Sequence, residues 1–182
     1  MAPLTLAGIG WLLVTLGITG PLGLLIAVVG WGLVGAGMRL VRWRHTYFGV
    51  TFWTAVAGGL LTLALVVGIY AGPLHLYAIA AAEAVAGYSA CSGVLECAPA
   101  NRPQRIDPAA DVVGLQLRLV RVLLVVMLVL SVLMDALYQA GRPASPNVLA
   151  LVAVLTIVTS LWLGVLLFVV ARRPTLQQHP VP

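Results

Sequence analysis

The chain has 182 residues, of which 62% are hydrophobic and 8% are charged, and its mean hydropathy is +1.08. Soluble domains carry roughly a quarter charged residues, and so apolar a chain of this size would leave large apolar patches in water. The net charge of +5 comes from arginine, because the sequence contains no lysine. Composition therefore excludes an ordinary soluble domain. It predicts an all-α fold: a polytopic, integral membrane helical bundle without a soluble domain.

Six apolar segments follow one another, and we predict that they form a single transmembrane domain over residues 1–171, arranged as three hairpins. The predicted spans are 4–19, 22–38, 50–71, 74–95, 112–137 and 148–171. The first two are short for a full crossing, so they form either two short spans or a re-entrant hairpin. No basic flank precedes the first segment and no cleavage site follows it, so we expect it to be retained. The tail 172–182 holds three prolines and no apolar period, and we expect it to be disordered.

The placement of arginine predicts the orientation of the chain. With the loop Arg39–Arg44 in the cytoplasm and strict alternation of six spans, Arg142 is the one arginine left outside. Both termini are then cytoplasmic. The arginine-only basic content, with abundant Ala, Gly, Val and Leu, suggests a bacterial source and hence the bacterial plasma (inner) membrane. The arginines predicted to be cytoplasmic are Arg39, Arg42, Arg44, Arg102, Arg105, Arg118, Arg121, Arg172 and Arg173.

Glu83 is a carboxylate in the middle of the fourth apolar segment. It lies about 15 Å into a helix that starts at Pro73, which is about half of a ~30 Å hydrocarbon core. A carboxylate at that depth is costly unless it is paired, protonated or open to a polar cavity. One interpretation is a site that binds a proton or a cation. The alternative is a permanently protonated side chain that hydrogen-bonds a neighbouring helix.

The run Ile79–Gly87 reads IAAAEAVAG around this carboxylate. It resembles the alanine-rich, glutamate-bearing helix of the small K-type membrane subunit of proton-pumping NADH dehydrogenase and of its sodium/proton antiporter relatives. The resemblance extends over Leu22–Arg105 at most. It implies that Glu83 belongs to a buried chain of charges that relays protons. The family's second glutamate has no counterpart, because the preceding segment 50–71 contains no acid.

Two other groups of residues are candidates for binding. Asp135, near the outer end of the fifth segment, is either a second proton or cation station or an interfacial carboxylate paired with Arg142. Basic residues near span ends are expected to contact anionic lipid head groups. These head-group candidates are Arg39, Arg42, Arg44, Arg118 and Arg121. We read the basic charge as lipid-directed and expect no nucleic-acid partner, no cofactor and no metal site.

Three functions remain open at this point. The first is a non-enzymatic, small transporter-like protein or an accessory subunit of a membrane assembly, with Glu83 as its proton or cation site. Its partners would be the lipid bilayer and either other membrane subunits or further copies of the chain. The second is a membrane-embedded enzyme acting on lipid or quinone at the cytoplasmic face. The third is a purely structural membrane protein. We favour the first and a non-enzymatic role.

Overall fold

The computed structural model describes residues 3–17, 20–69, 73–97, 108–141 and 145–172. Within these ranges the chain forms six α-helices and no strand, which confirms the all-α prediction and the number of helices. The helices are α1 (Pro3–Leu16), α2 (Gly20–Val41), α3 (Thr46–Val66), α4 (Pro73–Cys97), α5 (Pro108–Gln139) and α6 (Pro146–Ala171). Three parts of the chain discussed above lie outside the described residues. They are residues 98–107 between the fourth and fifth predicted spans, residues 142–144 between the fifth and sixth, and the predicted disordered tail from Arg173 onward.

Local sequence explains where the helices begin and end. Four helices start with proline, whose fixed φ suits the first helical position. Helix α3 instead follows His45, whose imidazole accepts a hydrogen bond from the backbone N–H of Tyr47. At the other end of α3, Gly68 has a φ of +81°. The N–H groups of Gly68 and Ile69 then bond the carbonyls of Leu65 and Ala64, a Schellman motif that ends the helix.

Five of the described helices are long and apolar enough to cross a membrane, and α1 is the exception. Helix α1 has 14 residues, about 21 Å of rise, against a hydrocarbon core of about 30 Å. Helix α2 has 22 residues and begins before and ends beyond the predicted segment 22–38. Helix α5 has 32 residues and is about 48 Å long, so its first turns extend past the end of α4.

The helices form a closed ring in which each contacts its neighbour in sequence and α1 also contacts α6. Neighbours run antiparallel wherever paired contacts show their direction. For α1 and α2 the pairs are Gly10 with Gly30 and Pro3 with Gly37, and for α2 and α3 they are Trp31 with Gly58 and Gly35 with Ala55. For α3 and α4 they are Leu61 with His75 and Phe48 with Gly93, and for α4 and α5 they are Gly87 with Leu124 and Ser92 with Arg121. The grouping of the six helices into three hairpins stays a prediction.

One end of the ring collects the arginines that the structure describes, and we call it the arginine-rich end. It holds the N-terminus of α1, the α2–α3 loop, the C-termini of α4 and α6 and the start of α5. The core between the ends is centred on Trp11, which is fully buried. Its ring meets that of Trp31 edge-on at 6.2 Å between centroids, which joins α1 to α2 in the interior.

Candidate functional site

Glu83 lies ten residues into α4, the most buried of the five long helices. Alanines precede and follow it, and these small side chains let α4 sit close to its neighbours. The Glu83 side chain is partly buried. Its carboxylate oxygen Oε1 accepts a hydrogen bond of 2.8 Å from the hydroxyl of Ser160 on α6. The carboxylate therefore points across the bundle to another helix.

Ser160 is 1% exposed and is the partner that the sequence reasoning missed. Its neighbour Thr159 is also buried. With Thr156 these residues form a hydroxyl-bearing stripe at positions i, i+3 and i+4 on an otherwise Leu- and Val-rich helix. That stripe was a usable signal. Sequence alone did not indicate that α6 would lie beside Glu83, because Ser160 and Glu83 are 77 residues apart in the chain.

Gly87 places an aromatic group one turn from Glu83. A Cβ atom built on Gly87 would lie 2.6 Å from Cδ1 of Leu124, 3.0 Å from Cδ2 of Leu163 and 3.1 Å from Cζ2 of Trp11. The absence of a side chain at Gly87 thus lets Trp11 of α1 reach α4 through the centre of the ring. Four helices meet at this level, next to the Glu83–Ser160 bond.

Trp11 carries an unsatisfied donor in this region. Its Nε1–H is buried. Among the buried side chains that the structure describes, it is the polar group that lacks a hydrogen-bond partner. A buried N–H without a partner costs free energy, so each such group calls for an explanation. Because Cζ2 and Nε1 belong to the same indole ring, the donor lies near the Gly87 level of α4.

The other predicted site residues lie apart from Glu83. Asp135 lies on α5, four residues before its C-terminus, and its side chain is outside the described part. Arg39, Arg42 and Arg44 are exposed at the arginine-rich end, where Arg42 lies over the ring of Phe52 and Arg44 over that of Trp43. Their predicted contact with lipid head groups stays a prediction.

Arg118 and Arg121 differ in their surroundings although they are three residues apart on α5. Arg118 is exposed, whereas Arg121 is partly buried. The Arg121 guanidinium donates to the hydroxyl of Ser92 at 3.5 Å and lies 5.2 Å from the centroid of the Tyr88 ring. It is therefore held against α4 on the arginine-rich side of the Glu83 level.

The described residues contain no group of three or more His, Cys, Asp or Glu side chains that could hold a metal ion. Cys91 and Cys97 are both free, and neither joins the Glu83 site. The interaction at Glu83 is thus a single carboxylate–hydroxyl pair between two helices, with an unsatisfied indole donor nearby.

Comparisons with known proteins add no family to this geometry. No protein-family model matches the chain, and neither a curated protein nor a solved structure matches it. The resemblance of Ile79–Gly87 to the K-type subunit helix stays a prediction from the sequence.

Proposed function

We propose that the chain is a multi-pass membrane protein in which Glu83 binds and releases a proton inside the bilayer. It would act as a small transporter-like protein or as an accessory subunit of a larger membrane assembly. The observation that carries the proposal is the hydrogen bond between Glu83 and Ser160, which directs the carboxylate to another helix. Ionisable residues within apolar spans are costly and commonly mark ion or proton pathways.

The coordination available at Glu83 favours a proton over a metal cation. Hard cations such as Ca²⁺ take six or more oxygen ligands. Among the described residues, the hydrogen-bond partner of the Glu83 carboxylate is one hydroxyl. A proton needs no such shell, since it attaches to one carboxylate oxygen. The resemblance of Ile79–Gly87 to a proton-relay helix supports the same choice.

Ser160 and Trp11 would together stabilise the protonated and the ionised forms of the Glu83 carboxyl group. The neutral carboxyl group is satisfied by Ser160, which can donate or accept. The ionised carboxylate requires donors, because a buried charge is costly without charge-assisted hydrogen bonds. A second donor in this region is the unsatisfied Nε1–H of Trp11, which lies near the Gly87 level one turn along α4.

The orientation proposed with this function places both termini in the cytoplasm. The arginine-rich end then faces anionic lipid at the cytoplasmic leaflet of a bacterial inner membrane. Glu83 lies between the two ends of α4, so a proton would need access from either side along neighbouring helices.

Proton flux into liposomes provides the test. The full chain is reconstituted with a trapped pH-sensitive dye, and flux under a pH gradient is compared among wild type, Glu83→Gln and Glu96→Gln. Glu96 is the matched control, because it is an exposed acid near the end of the same helix. We expect Glu83→Gln to abolish flux and Glu96→Gln to retain it. Equal flux in all three, above that of protein-free liposomes, would refute the proposal.

Infrared difference spectroscopy tests proton binding directly, including for a chain that works only within an assembly. The carbonyl stretch of a protonated carboxylic acid is followed against pH and assigned by its loss in Glu83→Gln. We expect this band to disappear as pH rises. A Glu83 band that stays constant through the whole accessible pH range would indicate a purely structural carboxyl group.

A further inference from the structure

A second polar cluster lies between α4 and α5, apart from Glu83. It consists of Arg121, Ser92 and Tyr88, with Arg118 one turn away on α5, and we call it the Arg121 cluster. Ser92 is 2% exposed, while Tyr88 is 37% exposed. The cluster thus has a buried hydroxyl at its base and an exposed aromatic ring at its opening.

The Arg121 guanidinium is incompletely satisfied there. A guanidinium carries five N–H donors, and the described contacts are one Ser92 hydroxyl, at the long distance of 3.5 Å, and the face of the Tyr88 ring. The Ser92 hydroxyl itself donates to the carbonyl of Tyr88, so it is fixed as an acceptor for Arg121. Glu96, the acid nearest in sequence on α4, is exposed, and the described side-chain contacts of the Arg121 guanidinium do not include a carboxylate.

The depth of the cluster indicates which anion could reach it. The antiparallel pairs Gly87–Leu124 and Ser92–Arg121 place Arg121 beside the part of α4 that lies about six residues before its last residue, Cys97. That is about 9 Å from the end of α4, close enough to the arginine-rich end for a long cationic side chain to reach the head-group region. Exposed apolar residues of α5, including Leu119 and Val122, flank it, as expected for a lipid-facing surface.

We propose that the Arg121 cluster binds the phosphate group of an anionic glycerophospholipid. Arg121 supplies a planar fork that can bind two phosphate oxygens, and Arg118 adds a second positive charge at the exposed edge. Tyr88 holds the guanidinium in plane beneath the head group. The acyl chains lie along the apolar face of α5. This site is independent of Glu83, so either proposal can fail without the other.

Native mass spectrometry of the delipidated full chain tests the site by titration with phosphatidylglycerol. Arg121→Gln is compared with Arg39→Gln, which removes the same charge from an exposed position at the same end. We expect Arg121→Gln to weaken binding about tenfold, the value of one charge-assisted hydrogen bond, and Arg39→Gln to weaken it less than about twofold. Equal losses in the two variants would show diffuse surface attraction and overturn the site.

Two further binding measurements test which ligand the site prefers. Wild type should bind phosphatidylglycerol more tightly than phosphatidylcholine, and inorganic phosphate at millimolar concentration should not displace the lipid. Equal binding of both lipids, or displacement by phosphate, would overturn the anionic lipid as the ligand. If Arg121→Gln does not fold, Arg121→Lys and Ser92→Ala replace it, and each should bind more weakly than Arg39→Gln because the fork or its buried acceptor is lost.

Discussion

The hydroxyl of Ser160 differs from other hydroxyls of the described helices in where it donates. Thr62, Ser131 and Thr156, for example, donate to the carbonyl four residues earlier in their own helix. That local bond is always available to a helical serine or threonine, and it specifies no neighbour. Ser160 instead donates across the bundle to Glu83. Its bond therefore links α4 to α6, and removing it tests how much this contact between the two helices stabilises the fold.

Ser160→Ala should lower the free energy of unfolding by about 0.5–2 kcal/mol, the range of interhelical hydrogen bonds in membrane proteins. Ser131→Ala is the matched control, because its hydroxyl bonds only its own helix. Equilibrium unfolding in mixed micelles, followed by circular dichroism, measures both. A loss no larger in Ser160→Ala than in Ser131→Ala would contradict the importance of the contact.

Glu83→Lys should impair insertion, since a lysine in the middle of a span either keeps a costly buried charge or must give up its proton, and it lies far from either interface. Glu96→Lys, at an exposed position near the end of the same helix, should insert normally. Protease protection of membrane-inserted protein measures both variants. Normal insertion of Glu83→Lys would mean that Glu83 faces water rather than an apolar interior.

Sequence reasoning found Glu83 but not its surroundings, for a physical reason. A charge in an apolar run is unusual against its own neighbours, so it can be recognised locally. Ser160, Trp11 and Ser92 become significant only through contacts with residues far along the chain. Nothing in an isolated helix distinguishes a hydroxyl that bonds its own backbone from one that bonds a neighbour.

At the scale of elements, glycines bring the backbones of α1 and α2 close together. Glycines recur every seven residues, at 10 in α1, at 17 directly after it, and at 23, 30 and 37 in α2. A Cβ atom on Gly10 would lie 2.5 Å from the carbonyl oxygen of Gly30, and one on Gly30 would lie 2.6 Å from that of Gly10. The two backbones are therefore in direct contact, as small residues allow in membrane helices.

Gly30→Ala should destabilise the protein by about 1–3 kcal/mol or more, because its methyl group would meet backbone atoms that cannot turn aside. Gly32→Ala, two residues away, has nothing within 4 Å and should be neutral or stabilising by up to about 1 kcal/mol. Thermal unfolding in detergent compares the two. Similar midpoints for both variants would contradict the close backbone contact.

Helix limits were predictable where the polar and helical boundaries coincide, as in α6, which runs from Pro146 to Ala171 against a predicted segment of 148–171. Helix limits were not predictable where backbone hydrogen bonding continues through polar residues. Helix α2 includes Arg39 and ends at Val41, and α3 begins at Thr46 because His45 caps it. Hydropathy follows side chains, whereas a helix is defined by its main chain.

For the whole molecule, the ring and the arginine distribution predict which end is reachable from outside. In a chain with Cys91 and Cys97 replaced by alanine, Ser145→Cys should react with a membrane-impermeant maleimide in intact cells. Trp43→Cys, exposed at the arginine-rich end, should react only after permeabilisation. The reverse pattern would invert the topology, and reaction of both in intact cells would rule out opposite ends.

The shortness of α1 bears on the bilayer itself. In the membrane setting proposed above, a helix of about 21 Å beside partners of about 30 Å or more would create a hydrophobic mismatch on one side of the ring, which lipid would relieve by thinning locally. Helix α1 adjoins α6, the helix that holds Ser160. If the bilayer thins there, the dielectric barrier is narrowest at the α1–α6 edge. That edge would then be the side from which water approaches Glu83 most closely, and the protein would be favoured in thinner membranes.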